Sequence, residues 1–407
     1  MSAPHAPSLP RLLLAAGGIY TAQSLVGGLT FLGVPAVLRA ENVSLDRIGL
    51  VSLAMLVWAL KFLWAAPVER WRLGIDGRRR SRALILAGEA VVVLALVAFG
   101  LAVGMDFSIL LGLLVLMALA SATVDIACDA FLIERFPDEK RGLANVAQVG
   151  GGYLGMIFGS GLFVAAYAAF GWMVASFLLA VLVLLFSVPM ATVREADVMP
   201  LAPSSPTPGL LNGLRRREIR IGIAMTIAFE LGGRLAQALA GPFLVDAGLP
   251  LATLGLLNGA GGVAAGLAGT AFGGALAHRF GAERAMFAVS CLHVLSLVAL
   301  ASAVVLASDH LSLLVGLFVI ESAVMAAGFV TSYARLMALA SPSQPGVDFT
   351  LFQCASAIAA AICGMGGAML ASRAGYAATF ALAALLTVLV PPLLFLFEHR
   401  LKKGISS

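Results

Sequence analysis

Two charged side chains four residues apart stand where lipid is expected. The apolar stretch 221–245, IGIAMTIAFELGGRLAQALAGPFLV, carries Glu230 and Arg234 near its centre. At about 1.5 Å rise per residue, Glu230 lies roughly 15 Å into that stretch, near the midplane of a ~30 Å hydrocarbon layer. A charge there costs about 2.5–3.5 kcal/mol on insertion scales unless it is paired or faces water. The i, i+4 spacing sets carboxylate and guanidinium on one helix face, where they neutralise each other. Two readings stay open: an ion pair locking two helices, or the polar wall of a central cavity.

Other ionisable groups sit at similar depth. Asp125-Ile-Ala-Cys-Asp129 places two carboxylates on one helix face, where both ionise only if a cation meets them. Lys61 and Glu89 fall at the matching depth of their own segments, so Lys61, Glu89, Asp125 and Asp129 read either as a cytoplasmic gate network or as groups that touch a solute or proton. Glu321 has no basic residue at i±3 or i±4. It must reach Arg234 across the bundle, stay protonated or face water, and an acid that switches among those states is a proton carrier. The bland alternative is a satisfied hydrogen bond to a neighbouring helix. His293, alone on an apolar segment, reads as a packed, hydrogen-bonded group before it reads as a relay.

The elements that hold these groups follow from composition. Of 407 residues, 61% are hydrophobic and only 12% charged, against about 25% charged in soluble domains; the mean hydropathy is +1.01. No soluble core of this size buries that much apolar surface, so the chain is an all-α, polytopic membrane protein. Apolar segments of bilayer length occur at roughly 12–38, 47–66, 83–104, 107–131, 143–169, 172–193, 219–246, 251–277, 284–306, 311–339, 347–373 and 376–397, twelve in all. The first is too long for a signal-peptide core and lacks an A-x-A site, so it reads as a span. The four cysteines lie in apolar runs without CxxC or zinc spacing, and no metal or cofactor site is expected. A GxxxxGK[ST] loop, an HExxH pair and a nucleophile elbow are all missing, which argues against direct ATP use and against an enzyme.

Orientation follows from Lys and Arg. With the N-terminus inside, only Arg39, Arg47 and Arg373 of the 26 fall on the outer side, and Lys61 and Arg234 lie within spans. The rest line the inner side, so both termini are expected in the cytoplasm. That distribution also accounts for the net charge of +5 without nucleic acid. The Pro/Ser-rich, Arg-bearing stretch 194–218 cannot pack as a core and divides the chain into six-span halves, 1–193 and 219–407.

A repeat supports that division. Pro67-Val-Glu69-Arg70-Trp-Arg-Leu-Gly74-Ile-Asp76-Gly-Arg78-Arg-Arg80 follows span two, and Gly273-Gly-Ala-Leu-Ala-His278-Arg279-Phe-Gly281-Ala-Glu-Arg284 follows span eight. The first resembles the G-x-x-x-D-R-x-G-R-R signature of the major facilitator superfamily, with Glu69 for the usual Asp and two extra residues before Gly74; the second has His278 in place of an acid. The resemblance implies two six-helix pseudo-repeats, alternating access, and a cavity lined by spans one, four, seven and ten. Placed on that scheme, the buried polar and charged residues give a substrate cavity of Tyr20, Gln23, Phe229, Glu230, Arg234 and Gln237, proton coupling through Glu321 and Asp125, and a cytoplasmic gate of Lys61, Glu89, Asp129, Glu69 and Arg70.

Trp58-Ala-Leu-Lys61-Phe-Leu-Trp64-Ala-Ala-Pro67, Asp125-Ile-Ala-Cys-Asp129 and Glu134-Arg-Phe-Pro137-Asp-Glu-Lys140-Arg141-Gly142 resemble the AmpG-like branch of that superfamily. The branch holds muropeptide permeases, acetyl-CoA transporters and single-subunit siderophore permeases. The compact length favours the siderophore group, of the pyochelin and rhizobactin type. That resemblance implies a Gram-negative inner-membrane protein, a monomer in the bilayer, importing a siderophore or its ferric complex with protons as coupling ion. The alternatives are a muropeptide or other anionic-metabolite permease, or a drug-type exporter.

Overall fold

The computed structural model describes residues 8–43, 45–51, 53–74, 79–102, 106–194, 207–250, 253–254, 257–306 and 310–405. These residues form helices and connecting turns in the order the hydropathy requires. α1 runs Leu9–Ala40 and α2 is assembled from Leu45–Val51, Leu53–Leu60 and Phe62–Leu73. α3 is Ser81–Leu101 and α4 Phe107–Arg135. The run Asp138–Ala191 bends at Gly171 into α5 and α6. α7 is Arg217–Asp246, α8 the π-turn Leu257–Gly261 with Gly262–Phe280, α9 Ala282–Val305 and α10 Leu311–Met337. Pro345–Val388 bends at Gly375 into α11 and α12, and Val390–Ile405 continues α12. Seven of these runs are long and apolar enough to cross a membrane, and Asp138–Ala191 and Pro345–Lys402 among them each hold two helices. The described residues thus make twelve helices and no strand, and the protein is an all-α, polytopic membrane protein.

By packing, the chain divides into two units. One comprises residues 1–136, 147–212 and 341–350, the other 137–146, 213–340 and 351–407. Each is held by aromatic packing: Trp172 stacks on Phe99 at 4.7 Å and donates to its carbonyl at 2.7 Å in the first, and Phe380 meets Phe243 at 5.3 Å and Phe318 at 5.7 Å in the second. Lipid has no driving force to push helices together, so close backbone approach matters more than in water. In the first unit the π-turn Leu29–Gly33 of α1 packs on the π-turn Ile157–Leu162 of α5. There a Cβ on Gly159 would collide with the Leu25 carbonyl and lie 2.6 Å from the Leu29 nitrogen.

The same local solutions recur in each unit. α1 and α7 both end with a residue in the left-handed region, Asn42 (φ 60°) and Gly248 (φ 95°), with Val43 N–H reaching Leu38 O and Leu249 N–H reaching Leu244 O, each at 2.9 Å. Just before those ends, Glu41 accepts from Tyr167 and Asp246 accepts from Tyr376, the second at 2.6 Å. Gly171 (φ 79°, ψ 178°) and Gly375 (φ 82°, ψ 167°) make the two bends, in a backbone region that a side chain would strain.

Candidate functional site

In the first unit, four helices converge on the α4 carboxylates. Lys61 sits where α2 is interrupted, with Trp64 N–H bonded to the Lys61 carbonyl at 3.2 Å, and the tightened turn delivers its ammonium onto Asp125. That buried pair is the cation the two adjacent carboxylates require. Asp129 accepts from Tyr20 OH at 2.5 Å from α1 and from Gln148 Nε2 at 2.9 Å from α5. Gln23, its amide turned so that nitrogen faces the carboxylate, reaches Asp125 Oδ1 at 2.9 Å. Tyr20 and Gln23 lie one turn apart on α1 as Asp125 and Asp129 do on α4, so two helix faces mate donor to acceptor. Trp64 Nε1 donates to Thr123 Oγ1 at 3.1 Å, beside this cluster.

Glu89 departs from the expected network. It is buried on α3, and neither carboxyl oxygen has a hydrogen-bond partner among the described residues. Of the four residues read as a gate, Lys61 meets Asp125, and Asp129, one turn along α4, is held by Tyr20 and Gln148.

In the second unit, Glu230 and Arg234 meet as their spacing requires, with both Nε and Nη2 of Arg234 3.0 Å from Glu230 Oε2. Ser356 of α11 ties them together, accepting from Arg234 Nη2 at 3.1 Å and donating to Glu230 Oε2 at 2.5 Å. The guanidinium stacks 4.9 Å over the Phe329 ring of α10. Glu230 is sealed at 1% exposure while the Arg234 side chain keeps 25%. The arrangement neutralises the carboxylate from one side and leaves the outer edge of the guanidinium available to an anion, which an Arg presents with a planar fork of donors. Gln237 is exposed farther along α7.

Phe229 does not join that edge. One residue before Glu230, it points to a different face of α7, is 1% exposed, and packs on His293 at 5.7 Å between ring centres. Glu321 takes the hydrogen-bonded alternative, with partners on a neighbouring helix. Its Oε1 lies 2.8 Å from His293 Nε2 and its Oε2 meets the Ser296 hydroxyl, both from α9, while Arg234 is bonded to Glu230 and Ser356. His293 is accordingly a partnered group at 0% exposure.

At the C-terminal end of α2, the residue that holds Glu69 is Arg72. Arg72 Nη2 lies 2.6 Å from Glu69 Oε1, its Nη1 and Nη2 reach Glu134 at 2.8 and 2.9 Å, and Ser81 accepts at 3.0 Å. Burial alone would lower the Arg72 pKa, but Glu69 and Glu134 outweigh it and raise it above the ordinary guanidinium value. Arg70 is exposed and donates only to the Pro208 carbonyl, at 3.2 Å. Glu69 and Arg72 are three apart, so this pair was readable from helix spacing; Glu134 was not, because nothing local links it to α2. The second unit has a comparable pair in Arg335 and Glu398, joined by two contacts of 2.6 Å.

Known proteins resemble this arrangement at two levels. The chain is 28% identical over 275 residues to the anhydromuropeptide permease of Escherichia coli, covering 65% of this chain and 55% of that protein. It is 24% identical over 277 residues to the putative transporter AmpG 4 of Rickettsia conorii, covering 65% and 66%. The match thus spans about half the length of the permease. Among solved structures, a bacterial homologue of the iron transporter ferroportin in an outward-facing state superposes with a TM-score of 0.73 at 15% identity, covering 96% of this chain and 99% of that one. The transporter FucP in the outward conformation gives 0.73 at 16% identity, covering 96% and 98%. At such identity these two describe the fold alone. The model of the Major Facilitator Superfamily matches residues 12–302, most of the chain, and the chain belongs to that superfamily.

Proposed function

We propose that the chain is a secondary transporter of a bacterial inner membrane that carries a small anionic metabolite, a cell-wall fragment of the anhydromuropeptide type. The observation that carries the reading is Arg234: a membrane-depth guanidinium fixed by Glu230, Ser356 and Phe329 that still keeps a quarter of its side chain exposed. An anionic group on a solute is the natural ligand for that edge. Similarity to the anhydromuropeptide permease supports the solute class. The siderophore reading keeps only the sequence resemblance to its branch in its favour, since the ferroportin homologue is alike in fold alone.

In this reading the chain, with halves 1–193 and 219–407, works by alternating access, driven by an ion gradient and by protons first of all. Arg234 and Gln237 meet the solute, with Tyr20, Gln23 and Glu230 holding the wall in shape. Asp125 with Lys61, and Glu321, change charge state during the cycle, and Glu69 with Arg72 closes the cytoplasmic side. Uptake tests it directly: a deletion strain given labelled anhydromuropeptide, and separately ferric pyochelin, should fail to take up the first and keep the second. Loss of pyochelin uptake with intact muropeptide uptake would reverse the assignment.

A further inference from the structure

We infer that Glu321, His293 and Ser296 form a proton-binding site inside the second unit, in which the exchangeable proton rides on the Glu321 carboxyl and α7 is the element placed to respond to it. The inference rests on the transporter reading for its purpose, but the site stands on its own geometry.

Hydrogen counting makes the case. The Ser296 oxygen has two oxygen neighbours, Glu321 Oε2 and the His293 carbonyl at 3.0 Å, and its hydroxyl has one hydrogen to give. A carbonyl contributes none. When that hydrogen points to the carbonyl, the contact between Oγ and Oε2 is bonded only if Glu321 itself carries a proton. When the proton leaves, a rotation of the hydroxyl brings its hydrogen onto Oε2, and the carboxylate then has two donors, Ser296 and His293 Nε2. Both states keep the carboxyl hydrogen-bonded without moving the backbone. Such a site holds and releases a proton at little structural cost, in a place where an unsatisfied carboxylate would be heavily penalised.

The imidazole cannot take the proton instead. His293 is buried and its Nδ1 has no hydrogen-bond partner among the described residues. An imidazolium would put a second N–H there with nothing to accept it. With its hydrogen on Nε2, His293 donates to Glu321 Oε1 and orients the acid.

Release of the proton leaves one negative charge in an apolar surround. Against α9 and α10 pack α7, α8 and α12, and the start of α5, which carries Asp138, Glu139, Lys140 and Arg141, reaches the end of α10 where Asn145 Nδ2 lies 3.5 Å from Met337 Sδ. On α8 and α12 the ionisable groups are His278 and Arg279, and Glu398, His399, Arg400, Lys402 and Lys403, all at the cytoplasmic ends. On α10 the other is Arg335, paired with Glu398; on α9 they are Glu283 and Arg284 at its start, and Cys291. Among the described residues, only α7 brings charge to this depth, in Glu230 and Arg234. It also makes the nearest approach: a Cβ on Gly233 would lie 2.8 Å from His293 Nε2, and Phe229 stacks on the same ring. α7 thus presents Phe229 and Gly233 to the proton site on one face and Glu230 and Arg234 on the next, so a change of charge at Glu321 pulls on the helix that holds the solute-facing guanidinium.

Infrared difference spectroscopy of the purified full chain in lipid, followed through a pH titration, reads the site without any solute. The expected result is a carboxylic C=O band that titrates in the parent, disappears in Glu321→Gln, shifts in frequency in Ser296→Ala, and persists in Asp125→Asn. Melting curves confirm that each variant is folded. In proteoliposomes, Glu321→Gln should also lose accumulation driven by a pH gradient. A folded Glu321→Gln that keeps every titrating band of the parent overturns the inference, as does a Ser296→Ala band identical to the parent's. A parent that shows the Glu321 band yet accumulates no anhydromuropeptide would leave this site standing and defeat the proposed solute.

Discussion

Removing one member of a buried charge pair leaves the other alone in low dielectric, and that penalty exceeds the worth of the pair itself. Lys61 and Asp125 are such a pair, at 4% and 9% side-chain exposure. Lys61→Ala is expected to lower stability by about 3–5 kcal/mol, and the Lys61→Ala, Asp125→Ala double variant to recover most of that loss. Thermal melting in detergent checks it; single and double variants equally destabilised would show that the pair is not what matters there. Spacing along one helix made half of this chemistry readable: Glu230 with Arg234 and Asp125 with Asp129 share faces by arithmetic. Partners from other helices were invisible, because His293 and Glu321 lie 28 residues apart and only packing brings them together. Arg70 was chosen over Arg72 for the same reason in reverse, since adjacency in sequence is not adjacency on a helix.

Helices in this chain approach through glycine, and the contact between α1 and α5 is a sharp case. Gly159 has the Leu25 carbonyl where a Cβ would go, whereas Gly161 has nothing within 4 Å. Gly159→Ala should therefore destabilise the fold by roughly 1–3 kcal/mol through overpacking, while Gly161→Ala is neutral. Comparing the two melting temperatures tests whether the facing π-turns are a tight seat or a loose one. A second test lies at the bend: Gly171→Ala should cost on the order of 1–3 kcal/mol, since alanine is strained at φ 79° and ψ 178°. Element count and order were legible from hydropathy because the bilayer imposes a fixed length on each span. The turn at Lys61 within α2 and the π-turns were not, since their cause is packing between helices and local hydrogen bonding around Lys61.

For the molecule as a whole, lipid is the reason the fold was readable at all: every backbone polar group in it must be satisfied inside a helix, so composition alone excludes other architectures. Orientation can be checked independently of function. With both termini in the cytoplasm, a C-terminal fluorescent-protein fusion should fluoresce and a C-terminal alkaline phosphatase fusion should be inactive; active phosphatase would reverse the topology. Direction and solute were not legible, because selectivity resides in a few side-chain edges such as that of Arg234. The central claim is that this membrane-depth guanidinium meets the solute. Uptake of labelled anhydromuropeptide into proteoliposomes, comparing the parent with a Glu230→Gln, Arg234→Gln variant that melts normally, tests it most directly. Saturable uptake in the parent and its loss in the folded variant is the expected result; equal uptake by both would contradict it.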